Sequence, residues 1–138
     1  MSHTTLEPYV PSDAETIAVV GISSKPQRAS HQVAEHLQRK GYRIVPVNPK
    51  ESEVLGEKAY PSLLEASRDV RIDVVDVFRK AEDTPPVAEQ AVLIGAKVLW
   101  LQDNIVSDEA RRIAEEGGLT VVMGVCIRRT SKRLEGEE

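Results

Sequence analysis

A chain of 138 residues and 15.2 kDa has room for one domain around one core, and 41% apolar with 29% charged residues is the composition of a folded protein rather than a disordered one. Eighteen Lys and Arg against 22 Asp and Glu leave a formal charge of −4, which excludes a global basic field for nucleic acid or an anionic membrane, so any anion must be held locally. One cysteine excludes an internal disulfide framework and a multi-cysteine zinc site.

In chain order, residues 1–14 read as an extension that lacks the basic start and apolar run of a signal peptide. Thr16-Ile-Ala-Val-Val20 is a continuous β-branched run ending at Gly21, the pattern of a strand covered on both faces. A helix is expected from an N-cap at Ser30 to Lys40, with Val33, Ala34 and Leu37 on its inner face and Gly41 after its end. Arg43–Val47 is the second strand, although Pro46 offers no ladder donor and suits the strand's end or an irregularity. Pro61 is placed in the first turn of a short helix carrying Leu63, Leu64 and Ala66. Ile72–Phe78 is the third strand, and Thr84-Pro85 starts a helix stopped by Gly95. Ala96–Leu101 is the fourth strand, Ser107 caps a helix ending at Gly117-Gly118, and Leu119–Met123 is the fifth strand. The stretch Lys132–Glu138 reads as a frayed, solvated tail, so the folded domain is placed at residues 15–134 with a charged tail at 135–138.

Strands alternating with helices, each strand needing cover on both sides, predict an α/β domain of the Rossmann-like, doubly wound type with about five parallel strands. Five strands are too few for an eight-stranded (β/α) barrel. Ligands of such sheets bind beyond the carboxyl ends of the strands, at the switch in strand order. The loops from Gly21 to Arg28, Asn48 to Lys50, Phe78 to Lys80, Gln102 to Asn104 and from Gly124 onward are therefore the candidate site. No segment approaches the ~18 apolar residues of a membrane span, and a cytoplasmic protein is expected.

In the first loop, Gly21, Ile22, Ser23, Ser24, Lys25 and Arg28 precede a helix, where backbone N–H groups and the helix dipole favour a phosphate. The loop is neither G-x-G-x-x-G nor a P-loop, so a standard dinucleotide fingerprint is missing; a plain polar turn is the other reading. An NAD site expects an acidic residue after strand two, whereas this chain offers Asn48-Pro49-Lys50. A cation there suits a phosphorylated ribose, which points to NADP or to a 3′-phosphorylated nucleotide such as coenzyme A; an Asn-Pro turn alone also accounts for the first two residues. Phe78 can line an adenine slot and Arg79 can meet a phosphate with its planar fork. Gln102 can hydrogen-bond a ligand or serve structure alone, and Trp100 fits the core.

Chemistry beyond binding finds little support. His3 lies in the amino tail, and His31 and His36 are five apart, a spacing that does not pair them as metal ligands on a helix. Asp73 and Asp76 lie on opposite strand faces, which argues against an acid/base pair, and Asp76 is expected to be hydrogen-bonded structure. Cys126 can face the crevice as an exchangeable thiol or pack as a small hydrophobe.

Together, Ile17-Ala-Val-Val-Gly-Ile-Ser23 with Lys25-Pro26 and Arg28, Gly41-Tyr-Arg-Ile-Val-Pro-Val-Asn-Pro49, Asp73-Val-Val-Asp-Val-Phe-Arg79, Gly95-Ala-Lys-Val-Leu-Trp-Leu-Gln102 and Cys126 resemble the small stand-alone CoA-binding proteins. These are similar in fold to the CoA-binding domain of the succinyl-CoA synthetase α subunit. The resemblance implies a CoA or acyl-CoA ligand and supplies no established reaction. Its phosphates would lie at the first loop and its nucleotide end near Asn48-Pro49-Lys50 and Val77-Phe78-Arg79. Gly21, Ser23, Lys25, Arg28 and Gln102 match the family's motif positions. The chain departs from the family at Asn104, where a Gly is usual, at Gly124-Val125, where an Asp-Arg pair is usual, and at Thr130-Ser131, in place of Glu-His. An NADP-dependent oxidoreductase, and an interaction module descended from a CoA-binding domain, are the alternatives.

Overall fold

Short apolar runs without polar alternation become strands that line up side by side, the three central ones buried on both faces and the last, Thr120–Met123, only half-buried because it lies at the sheet's edge. The computed structural model describes residues 6–136, so His3 lies outside the described residues. β1 (Thr16–Val20) pairs with β2 (Arg43–Val47), and a small antiparallel hairpin follows from β3 (Glu53–Val54) and β4 (Glu57–Lys58). β5 (Val74–Val77), β6 (Val98–Leu101) and β7 (Thr120–Met123) complete one parallel sheet in the order β2-β1-β5-β6-β7. This is the Rossmann-like α/β architecture that the alternation of strands and helices predicts. The switch in strand order falls between β1 and β5.

The helices are α1 (Ala29–Arg39), α2 (Leu63–Asp69), α3 (Thr84–Leu93), α4 (Asp108–Glu116) and α5 (Ile127–Leu134). Side chains alternate along each strand, so the sheet divides the apolar residues into two cores. Ala18, Val20, Val75 and Val77 pack with Leu63 and Ala66 of α2, Ala88 and Ala91 of α3, and Ala110 and Ala114 of α4. Ile17, Val19, Val74 and Trp100 face the other way, onto Val33, Ala34 and Leu37 of α1 and Ile127 of α5. Leu6, Val10 and Ala14, from the stretch read as an extension, are buried in that second core, and Tyr9 sets its ring edge-on to Trp100 at 5.9 Å.

Local chemistry explains where the elements depart from expectation. Pro46 lies inside β2, not at its end, because β2 is an edge strand. The Pro46 carbonyl accepts from the Tyr60 N–H on the outer side, so the missing donor faces outward and breaks no bond to β1. Ser30 does not cap α1; Arg28 holds that position, and Ser30 Oγ instead accepts the Ser23 N–H at 3.0 Å. Ser62, rather than Pro61, begins α2 as its N-cap, accepting from the Glu65 N–H. Ser107 caps α4 as expected, through the Ala110 N–H. The tail read as frayed from Lys132 onward is helical through Leu134, because Thr130 and Ser131 are buried and Glu135 receives Lys40 Nζ at 2.8 Å.

Asp76 overturns another expectation. It lies mid-sheet between Val19 and Trp100, is fully buried, and neither carboxylate oxygen has a hydrogen-bond partner among the described residues. Desolvation therefore pushes its pKa well above the ordinary carboxylate range. A carboxyl whose folded pKa is raised contributes its full stability below the unfolded value of about 3.9 and loses it as pH rises through the folded pKa. We predict that Asp76→Asn matches the parent in stability near pH 4 and exceeds it by more than about 1 kcal/mol by pH 8. Urea unfolding across that range checks this; a gain that stays constant with pH would contradict it.

Candidate functional site

Val47, Val20, Val77, Leu101 and Met123, the last residues of the five strands, are in mutual register, so every strand-end loop leaves the sheet at one level. This is the rim on which the candidate residues were placed.

At the switch between β1 and β5 the two backbones nearly touch. Gly21 has φ +89°, its N–H donates to the Val47 carbonyl at 2.8 Å, and a Cβ at this position would stand 2.3 Å from the Phe78 carbonyl oxygen. Only glycine fits, both for the left-handed backbone and for the missing space. The chain then turns through a loop tied down by its own polar groups. Ile22 is buried and its carbonyl accepts from Asn48 Nδ2 at 2.8 Å. The Ser23 carbonyl accepts from His31 Nδ1 at 3.0 Å, and Ser23 Oγ accepts the Lys25 N–H at 3.1 Å. The Ser24 N–H donates to Glu51 Oε2 at 3.0 Å, so a carboxylate of the protein meets an amide of the anion-seeking loop. Lys25 and Arg28 are exposed at its tip.

The second loop is bound to the first through Asn48, whose Oδ1 also accepts the Lys50 N–H at 2.9 Å. Pro49 and Lys50 are exposed. Asn48 is therefore a brace between the two loops as well as a turn residue. After β5, Phe78 and Arg79 are half-buried. Arg79 lines a cleft of about 160 Å³ floored by Val20 and Val47 and walled by Ser62, Val87 and Gln90, with Asp83 at its side. Arg28 and Lys50 are not among its lining residues, so the three cations do not share this hollow. The α2 and α3 wall, Pro61 to Leu63 with Val87 and Gln90, was missed from the sequence. Its signal is spatial: α2 and α3 cover the face on which Val20 and Val47 point.

Gln102 is almost fully buried, and its Oε1 accepts the Ile127 N–H at 3.2 Å, so it joins β6 to the start of α5. Two departures from the family pattern have a conformational explanation. Asn104 adopts φ +64°, the left-handed region that asparagine tolerates best after glycine. Gly124 adopts φ +79° where an Asp is usual, and a Cβ there would meet Val106 at 3.3 Å. Thr130 and Ser131, in place of Glu-His, are buried on α5, and Ser131 Oγ lies 3.2 Å from His36 Nε2. Cys126 is half-buried and packs against the second core, with Trp100 Nε1 donating to the neighbouring Val125 carbonyl at 2.9 Å.

The carboxylates of β5 lie away from the rim. Asp73 accepts the Glu15 and Thr16 N–H groups at 2.9 and 3.1 Å, at the opposite end of the sheet, and Asp76 is enclosed. Among the described residues, no three His, Cys, Asp or Glu side chains gather as a metal site, and no helix is long and apolar enough to cross a membrane.

Comparison with known proteins agrees with this architecture. A family profile described as "CoA binding domain" matches residues 15–130. Uncharacterized protein YneT of Bacillus subtilis is 46% identical over 115 residues, covering 83% of this chain and 84% of that one. The I subunit alpha of the ADP-forming acetate–CoA ligase of Pyrococcus furiosus is 34% identical over 109 residues; these are 75% of this chain but only 22% of that subunit. A solved structure, a hypothetical protein from Pyrococcus horikoshii OT3, superposes with a TM-score of 0.83 at 44% identity, covering 90% of this chain and 86% of that one.

The contact at the switch point predicts an unequal response to two similar substitutions. Gly21→Ala should lower the unfolding free energy by about 3 kcal/mol or more, because backbone must move as well as rotate. Gly95→Ala shares a positive φ of +76° but meets nothing within 4 Å, and should lower it by only about 1–2 kcal/mol. Urea titration of both variants tests this, and equal losses would contradict it.

Proposed function

The chain belongs to the CoA-binding domain family, and from that premise we propose that it binds coenzyme A or an acyl-CoA along the strand-end rim, without a reaction of its own. The observation that carries this reading is the cleft beside the β1/β5 switch, where Arg79 stands over the apolar ends of β1 and β2. An apolar floor with one planar cation at its side, beside the carboxylate of Asp83, suits a nucleotide, whose base seeks apolar cover and whose phosphate seeks a fork of N–H donors.

In this reading the first loop takes the diphosphate. Gly21 lets the backbone approach, Ser23 and Ser24 supply donors, and Lys25 and Arg28 neutralise charge from the exposed side. Phe78 and Arg79, set by the buried Val77, with Asn48, Pro49 and Lys50 from outside the cleft, hold the 3′-phosphorylated ribose and its base, and Gln102 supports the pantetheine end through α5. Glu51 acquires a role as well. Its carboxylate on the Ser24 N–H stands where a phosphate oxygen would be received, so the ligand displaces an internal anion as it enters. The group supplies a thiol or thioester when bound; the residues of this chain orient and shield it. The acidic groups of β5 lie off the rim, which favours a binding or regulatory role over catalysis.

Calorimetry and thermal unfolding of ligand-free protein with CoA, dephospho-CoA and NADP test the proposal. CoA should raise the melting temperature and bind more tightly than dephospho-CoA, and Arg79→Ala should weaken CoA about tenfold or more. No shift at saturating CoA would contradict the reading, and preference for NADP would favour an oxidoreductase. Glu51→Gln should tighten CoA about two- to tenfold, since the competing carboxylate loses its charge. Weaker binding in that variant would contradict the displacement.

A further inference from the structure

The face covered by α1 and α5 carries a second concentration of charge that the strand-end site does not use. α5 bears Arg128, Arg129, Lys132 and Arg133 and no acidic residue between Ile127 and Leu134, in a chain whose formal charge is −4. Two contacts fix its register on α1: His36 Nε2 lies 3.2 Å from Ser131 Oγ, and Lys40 Nζ lies 2.8 Å from Glu135 Oε1. Each contact lies one helical turn from the next on both elements, so the helices run alongside and their outward cations meet. Between them is a groove of about 320 Å³ lined by His36, Arg39, Lys40, Arg128 and Lys132.

Among the described residues the local carboxylates offset it only in part. Glu135 is held by Lys40, and Glu35 reaches Arg39 only at 3.7 Å on the exposed side of α1. Asp103 is paired with Arg129. Arg128 and Lys132 have no ion-pair partner among the described residues. His36, 6% exposed, responds to this field. Burial first, then Lys40 and Arg128, hold its pKa below the ordinary value, with Lys132 acting the same way and Glu135 opposing.

We propose that this groove is a second anion site, separate from the strand-end rim, which takes a short anion carrying two or three adjacent phosphoryl groups. The volume stands at the lower end of small-molecule sites. Guanidinium forks from Arg39 and Arg128 and the point charge of Lys132 are the donors that phosphoryl oxygens select. A protein interface would need an apolar centre, and no apolar side chain lines the groove. A long polyanion would meet the net negative charge of the rest of the chain, whereas a short one feels the cluster alone. The phosphoryl groups can belong to inorganic pyrophosphate or tripolyphosphate, or to the phosphate chain of a nucleotide. The proposal does not rest on CoA binding.

Calorimetric titration of the full chain with pyrophosphate, tripolyphosphate, ADP and orthophosphate, with and without excess CoA, tests it. With excess CoA filling the rim, one saturable site is expected for the first three ligands, with orthophosphate weaker. ADP above pyrophosphate assigns the site to a nucleotide, and the reverse assigns it to the inorganic anion. Arg128→Ala with Lys132→Ala should weaken binding about tenfold or more, and Lys132→Gln alone should weaken it in the same direction with the fold undisturbed. Imidazole NMR of His36 should show its titration moving upward on saturation. Absence of saturation, indifference to these substitutions, displacement by CoA, or selective binding of an acidic peptide instead would each overturn the proposal.

Discussion

The close approach of Gly21 to the Phe78 carbonyl is the contact on which the rest of the rim depends. It lets β1 and β5 stay paired to their last residues, while the chain after β1 turns toward α1 and the chain after β5 turns toward α3. Two consequences follow from that divergence. A crevice opens where the connections part, and the strand ends on either side stay level, so loops far apart in sequence reach the same place. A side chain at position 21 would push the two strand ends apart and tilt every loop that depends on their level.

The rim is built more by internal bracing than by its charges. Asn48, Ser23, Ser30 and His31 bind the first two loops into one unit, while Lys25, Arg28 and Lys50 stand exposed around it. Charge on flexible, solvated side chains is screened and adds little alone. Fixed backbone and a half-buried Arg79 over an apolar floor provide the orientation that those cations lack. The α1–α5 face shows the converse arrangement, with cations drawn close together by two specific contacts and with Arg128 and Lys132 left without an ion-pair partner among the described residues.

Much of this was legible in the sequence, for reasons that can be named. Unbroken β-branched runs such as Thr16–Val20 declare doubly covered strands, and the glycines and Ser107 punctuate the helices between them. The loops after each strand were placed correctly because a parallel sheet puts all of them on one edge. Tertiary effects were less visible. Pro46 is accommodated because β2 lies at the edge, and Ser30 serves the first loop rather than its own helix; neither fact is local in sequence. α5 was missed because its exposed face is so basic that it reads as a solvated tail, and its buried face is polar at Thr130 and Ser131. The wall of the cleft from α2 and α3 could not be read either, since it depends on which face those helices cover. That Asp76 has no hydrogen-bond partner among the described residues is a three-dimensional fact with no sequence signature.

The most direct test of the central claim is a crystal structure of the chain soaked or grown with coenzyme A. The account predicts density for the diphosphate against the backbone of residues 21–25, with Glu51 withdrawn from the Ser24 amide and the nucleotide end seated against Arg79. Density lying in the α1–α5 groove, or across the opposite end of the sheet near Asp73, with the Gly21–Phe78 rim unchanged, would contradict it.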